Sequence, residues 1–155
     1  MTLRRALPAA ALTLALSGNL LAGQAAPRDL AQEEANRALV LSFYNQFFNE
    51  HDTAAASKLI TDDYRQHNPH VPDGKAPMVE YFTEFFKTYP DARAKVVRSA
   101  TDGDLVYLHV HSTDSKTDRG VALVDIFRVE DGRIVEHWDV IQPVPEKAAN
   151  TNTMF

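Results

Sequence analysis

The chain has 155 residues, 45% of them hydrophobic and 24% charged, with a formal net charge of −5 and no cysteine. That length suits one ordinary globular core and leaves no room for two. Without cysteine, a disulfide framework, a lipidated cysteine and a thiol nucleophile are all excluded. The acidic balance disfavours nucleic acid and a basic membrane patch as partners and favours a small neutral or cationic ligand.

The first segment departs from the rest. Arg4 and Arg5 precede an apolar run from Ala6 to Leu21, which gives way to the small-residue stretch Ala22-Gly23-Gln24-Ala25-Ala26. This is the order of a secretory signal peptide over residues 1–26. Pro8, Ser17, Gly18 and Asn19 interrupt the run, which falls short of the ~20 apolar residues that span a bilayer. The expectation is therefore a cleaved leader, no stable membrane insertion afterwards, and a periplasmic or secreted protein. Cleavage removes two arginines and takes the formal charge from −5 to −7. The Arg4-Arg5 pair leaves both the general and the twin-arginine export routes open.

In the expected mature domain (27–142), a helix begins near Asp29, with Ala35, Ala38, Leu39, Ser42, Phe43, Gln46 and Phe47 at helical spacing and Leu41, Tyr44 and Phe48 widening the stripe. It ends near Asn49. Asp52 or Thr53 has the chemistry of an N-cap for a short second helix through Ile60, followed by a turn at Thr61-Asp62-Asp63 and an extended segment Tyr64–His67 stopped by Asn68-Pro69. After a Pro- and Gly-containing loop, residues 76–87 form a third amphipathic helix with Val79, Phe82, Phe85 and Phe86 inward.

From Arg93 the period changes to two. Residues 93–100, 105–112, 120–129 and 133–142 are rich in β-branched and aromatic residues, with turns at Thr101-Asp102-Gly103-Asp104 and Glu130-Asp131-Gly132. The tail 143–155, with Pro143, Pro145 and the polar Asn150-Thr151-Asn152-Thr153, carries too little apolar content for another strand and drapes over the body or a partner subunit. Helices grouped ahead of antiparallel strands predict an α+β fold: three N-terminal helices packed on one face of a curved antiparallel β-sheet. Such a sheet, closed at one end by helices, encloses a cavity suited to a small molecule.

Two segments carry a family resemblance. Thr61-Asp62-Asp63-Tyr64-Arg65-Gln66-His67-Asn68-Pro69 and, more specifically, the run from Val124 to Gln142 (VDIFRVEDGRIVEHWDVIQ) are similar to the hallmark segments of SnoaL-like proteins, a branch of the nuclear transport factor 2 (NTF2)-like superfamily. The resemblance covers essentially the whole mature chain. It implies an NTF2-like cone, frequently a homodimer through the sheet, and a range of activities from polyketide cyclisation to none known. Ketosteroid isomerases, also similar here, have an acid before the Phe127-Arg128 continuation and another at the place of Asn68. The asparagine departs from that pattern and removes the isomerase's proton-shuttling base, whereas Tyr44 matches the isomerase's oxyanion-donor tyrosine in its spacing from Asp62.

Strand alternation sorts the polar residues. Asp125 shares a face with Val121, Leu123, Phe127 and Val129, so one carboxylate interrupts an apolar row. Burial disfavours the charged form of a carboxylate, which makes an inward Asp125 an acid or a strengthened base. The resemblance to polyketide cyclases implies cofactor-free aldol-type chemistry in which one Asp removes an α-proton and later protonates the new alkoxide; Asp125 is the candidate. His67 or His109 is expected to share the acid–base task or to polarise the carbonyl. Tyr44, Asn68, His111, His137, Trp138 and Asp139 are the candidate binding residues. A metal set of His109 and His111 with His67 and Asp125 or Asp139 is conceivable chemically, but without an HExxH pattern the expectation is no metal and no cofactor. The functional expectation is an exported protein with a small hydrophobic ligand in a cone-shaped pocket. It is either a cyclase, isomerase or dehydratase-type enzyme or a non-catalytic binding or accessory module.

Overall fold

Helix α1 (Leu30–Phe48) starts where Asp29 caps it, the carboxylate accepting from the Gln32 amide at 3.0 Å. The protein is described by a computed structural model over residues 27–155, and the expected signal peptide lies outside the described residues. The buried stripe of α1 differs from the expected one. Glu33, Asn36, Val40, Phe43, Tyr44 and Phe47 turn inward, while Ala35, Ala38 and Ser42 are exposed. Two polar residues sit inward because partners await them: Arg28 forks onto the Glu33 carboxylate, Thr101 Oγ1 donates to it at 2.8 Å, and Asn36 Nδ2 donates to Gly103 O at 3.4 Å. Periodicity counts only apolar residues and cannot see such satisfied polar positions.

Helix α2 (Thr53–Ala56) is capped by Asp52 and runs through a 3-10 turn, Ser57–Leu59, directly into strand β1 (Ile60–Gln66). The expected turn at Thr61-Asp62-Asp63 is thus part of the strand, held extended by the buried anchors Ile60 and Tyr64 on either side. Helix α3 (Lys75–Thr88) buries Met78 and Phe86 and half-buries Val79, Phe82 and Phe85. Strands β2 (Arg93–Asp102), β3 (Leu105–Thr113), β4 (Val121–Glu130) and β5 (Arg133–Pro143) follow.

The sheet order is β1-β5-β4-β3-β2. Strands β2 to β5 form an antiparallel meander, and β1 joins the β5 edge in parallel, so the sheet is mixed where an antiparallel one was expected. A strand reached before the meander begins can run alongside its last strand only after a long connection, here the loop, α3 and three strands. The α+β class and the cone are as expected, with the helices on the concave face.

Fully buried Val106, Leu108 and Val110 line that face along β3, each contributing about 1.5–3 kcal/mol of burial. Asn49, at the end of α1, clamps Ala94 of β2 through both its amide atoms, at 2.9 and 3.1 Å, which fixes helix against sheet. Register shifts bend the sheet between Val96 and Arg98 in β2 and between Arg128 and Val129 against β5. In the second, Val129 faces Ile134 while Arg128 faces Glu136, so Val135 is the extra residue. That bulge reverses the alternation of β5: Ile134 and His137 are buried on the inner side, and Trp138 is turned to the outer one. Among the described residues no helix is long and apolar enough to cross a membrane.

Candidate active site

A cavity of about 230 Å³ lies between the concave face of β4 and β5, the end of β1, and helices α1 and α3. Its wall is aromatic, with Phe43 and Phe48 from α1 and Phe82, Phe85 and Phe86 from α3. Its floor is polar. Asp125 on β4 stands opposite Asp139 on β5, and its neighbour Phe127 stands opposite His137, so two carboxylates and an imidazole share one patch of sheet.

Opposed carboxylates repel unless something intervenes. Here each is held by donors. Tyr44 Oη donates to Asp125 Oδ2 at 2.9 Å, His137 Nε2 meets Asp125 Oδ1 at 3.1 Å, and Asn68 Nδ2 donates to Asp139 Oδ2 at 2.6 Å. Asp125 is 3% exposed. Burial first, and then the Asp125 charge, push the Tyr44 phenol well above its ordinary range, so it stays a donor.

Gln66 determines where the imidazole proton sits. The backbone N–H of Asn68 donates to Gln66 Oε1 at 2.9 Å, and the same oxygen lies 2.8 Å from His137 Nδ1. A backbone amide only donates, so that Gln66 atom is the oxygen, and an oxygen of an amide only accepts. His137 therefore carries a proton on Nδ1. The contact between Nε2 and Asp125 Oδ1 then requires a second proton, on one atom or the other. Losing it leaves two lone pairs facing each other in a buried site. The Asp125–His137 pair is a proton-holding unit, either imidazolium with carboxylate or imidazole with carboxylic acid.

The placement of the remaining candidates is mixed. Tyr44, Asn68, Asp125, His137 and Asp139 converge on the cavity. His67, expected beside Asp125, is on the outer face: its ring stacks on Trp138 with centroids 4.9 Å apart, and Nε2 meets Glu136 Oε1 at 2.9 Å. Burial opposes ionisation of Glu136, but His67, Arg128 and Arg65 outweigh it and hold its carboxyl below the ordinary range. Trp138 is likewise outside, under the Arg128 guanidinium. His109 and His111 also face outward, because Val106, Leu108 and Val110 occupy the inward positions of β3; His109 Nδ1 meets Arg98 and His111 Nε2 meets Arg119 O. The C-terminal Phe155 stacks on His111 at 4.2 Å, which brings the tail across this outer face. The metal set built on His67, His109 and His111 is therefore not assembled. A different one is: one ligand atom from each of Asp125, His137 and Asp139 lies within 4.8 Å of the others. A divalent ion there would have to replace the proton that joins Asp125 to His137.

Gln66 and Tyr64 are the residues that sequence reasoning missed. The signal was present along β1 and the two residues after it, where Tyr64, Gln66 and Asn68 share one face and His67 has the other.

The SnoaL-like domain family matches residues 40–137 of the chain. The protein belongs to the SnoaL-like family. No curated protein matches it by sequence. Among solved structures, a candidate ketosteroid isomerase from Kribbella flavida aligns at 21% identity with a TM-score of 0.63, covering 77% of this chain and 86% of that one. An NTF2-like protein of unknown function from Cytophaga hutchinsonii aligns at 19% identity and 0.60, covering 70% and 90%. A candidate polyketide cyclase from Bacillus cereus aligns at 20% and 0.59, covering 69% and 74%. At these identities the likeness establishes the fold, so this SnoaL-like domain has to be read from its own cavity. Within the family, that cavity is a small-molecule site.

Proposed function

We propose that this SnoaL-like protein is a cofactor-free acid–base enzyme that moves a proton next to the carbonyl group of a largely apolar small molecule, in a cyclisation, isomerisation or dehydration. The observation that carries the reading is the Asp125–His137 contact, which needs a shared proton, at the floor of an apolar cavity and facing a second carboxylate, Asp139. A site with one proton to give and a carboxylate able to receive another can remove an α-hydrogen and reprotonate elsewhere. Asp139, oriented by Asn68, is the proton acceptor in this scheme; the Asp125–His137 unit is the donor. The names of the isomerase and cyclase relatives agree with chemistry of this kind.

The test is α-hydrogen exchange. Acetophenone incubated in D2O with the protein should lose its methyl proton signal in the NMR spectrum faster than in buffer, and Asp125→Asn should slow this by about 10²–10⁴-fold while leaving the fold intact. A second reading has its own support, since both Asp125 oxygens already have protein partners, as in a purely structural network. No exchange by the unaltered protein would favour that reading, a non-catalytic binding or accessory module.

We further propose export and pairing. Residues 1–26 act as a cleaved leader, so the protein isolated from its host should begin at or near Ala26-Pro27, in the periplasm or medium. The outer face of β4 and β5 serves a homodimer: Val124 and Val140, opposite each other, are 43% and 70% exposed. Val140→Lys should turn a dimer into a monomer in light scattering; an unaltered protein that is monomeric at all concentrations contradicts the pairing.

A further inference from the structure

The proposed chemistry needs a hydrogen-bond donor for the ligand's carbonyl oxygen, and the tyrosine that the isomerase resemblance offers for this task is already engaged. Tyr44 has one hydroxyl proton, and it lies on Asp125 Oδ2. Asn68 Nδ2 is directed at Asp139. The Asn68 amide cannot be turned to serve instead, because Asn68 Oδ1 accepts from the His70 backbone N–H at 2.8 Å.

Tyr64 is different. It is 4% exposed, it lines the cavity, and its hydroxyl has a single partner among the described residues, Gln66 Nε2 at 3.2 Å. With Gln66 Oε1 fixed by the Asn68 backbone and by His137 Nδ1, Nε2 is necessarily the donor in that contact. The Tyr64 oxygen therefore accepts, and its own proton is left to point elsewhere. Burial first, then the charges of Asp125 and Asp139, hold the Tyr64 phenol above its ordinary range, so the proton is retained. A buried hydroxyl with an unspent proton is costly in an apolar wall unless something accepts it.

We propose that Tyr64 is the donor that binds and polarises the ligand oxygen, and that Gln66 is a positioning residue which sets both proton locations in the site: Nδ1 of His137, and the free side of the Tyr64 hydroxyl. One amide thus orients the acid–base unit and the electrophilic donor together. This implies a ligand with an acceptor oxygen, a ketone or an enone, attached to an apolar ring system that fits the aromatic wall. The inference rests on the carbonyl reading above, and the experiment separates the two.

Acetophenone and ethylbenzene differ in the carbonyl and little else, and their affinities for the protein can be compared by NMR titration. The unaltered protein should bind the ketone about tenfold more tightly, the size of one buried hydrogen bond. Tyr64→Phe should erase that preference while leaving ethylbenzene affinity unchanged, which also shows that the cavity has kept its shape. The carbonyl carbon-13 resonance of bound acetophenone should move upfield in Tyr64→Phe, a shift that a merely structural tyrosine would not cause. Loss of the preference together with absent α-exchange in the unaltered protein upholds the donor and sinks the acid–base reading. A ketone preference that survives in Tyr64→Phe, or no preference in the unaltered protein, overturns the donor whatever the exchange rate.

Discussion

The two faces of the same strands make the useful comparison. On the inner face of β4 and β5, Asp125 and His137 are buried and Asp139 is half-buried, and each is held by a protein partner. On the outer face, one residue away, His67, Glu136, Arg128 and Trp138 form a network richer in charges and only partly buried. The outer cluster looks more like a site from its residue types. The inner one has the chemistry, because proton placement matters only where water cannot repair it. Substitutions that break this contrast should grade accordingly.

The largest effect is expected in the packed interior. Leu108→Ala, at a fully buried position of β3, should cost about 2–5 kcal/mol in denaturant unfolding; a cost under about 1 kcal/mol would mean that the helices do not close tightly on the sheet. Next comes Gln66→Leu, which keeps the side chain's bulk and removes its amide. It should slow α-exchange by about 10–100-fold and release His137 to the other tautomer, seen in imidazole nitrogen-15 shifts. Rate loss without a tautomer change would assign Gln66 a purely steric role.

A smaller, pH-dependent effect belongs to the junction of α1 with the β2–β3 turn. Bonds from Arg28 and then Thr101 hold the Glu33 carboxyl down to about 2, below the ordinary value near ~4.3. A depressed carboxylate adds stability that is complete above its unfolded value and is lost as pH falls through its folded one. Unfolding curves should therefore weaken from about pH 4.3 downward, and Glu33→Gln should flatten that slope. An unchanged slope in the variant would place the acid sensitivity elsewhere. The smallest effects are expected outside: His67→Ala and His109→Ala should each change stability by less than about 1 kcal/mol and leave acetophenone binding alone. Loss of binding in either would mean that the outer network supports the cavity.

Much of this was legible in the residues. The caps at Asp29 and Asp52 and the four long strands follow from local chemistry, and Asp125 declared itself as a carboxylate in an apolar row. The apolar row Val106, Leu108, Val110 also implied that His109 and His111 face outward, yet histidine's catalytic versatility drew attention to them. The inward turn of His137 was hidden for a different reason. Simple alternation from Ile134 sends Trp138 inward, and only the extra residue Val135 reverses it, a bulge that pattern alone does not announce. Alternation along β1 could place Gln66 on the inner face but not give its role, which comes from an amide orientation set by a backbone N–H two residues on.

The central claim is that Asp125 and His137 share a proton while Gln66 holds another on Nδ1. The most direct measurement is a nitrogen-15 to proton correlation spectrum of the His137 imidazole near neutral pH, with Asp125→Asn and Gln66→Leu for assignment. A protonated Nδ1 bonded to Gln66, with Nε2 shifted by its contact to Asp125, is the predicted result. A bare Nδ1 with the proton on Nε2 alone would contradict the account, because the Gln66 oxygen would then face a lone pair and the imidazole would be neutral, with no acidic proton to give.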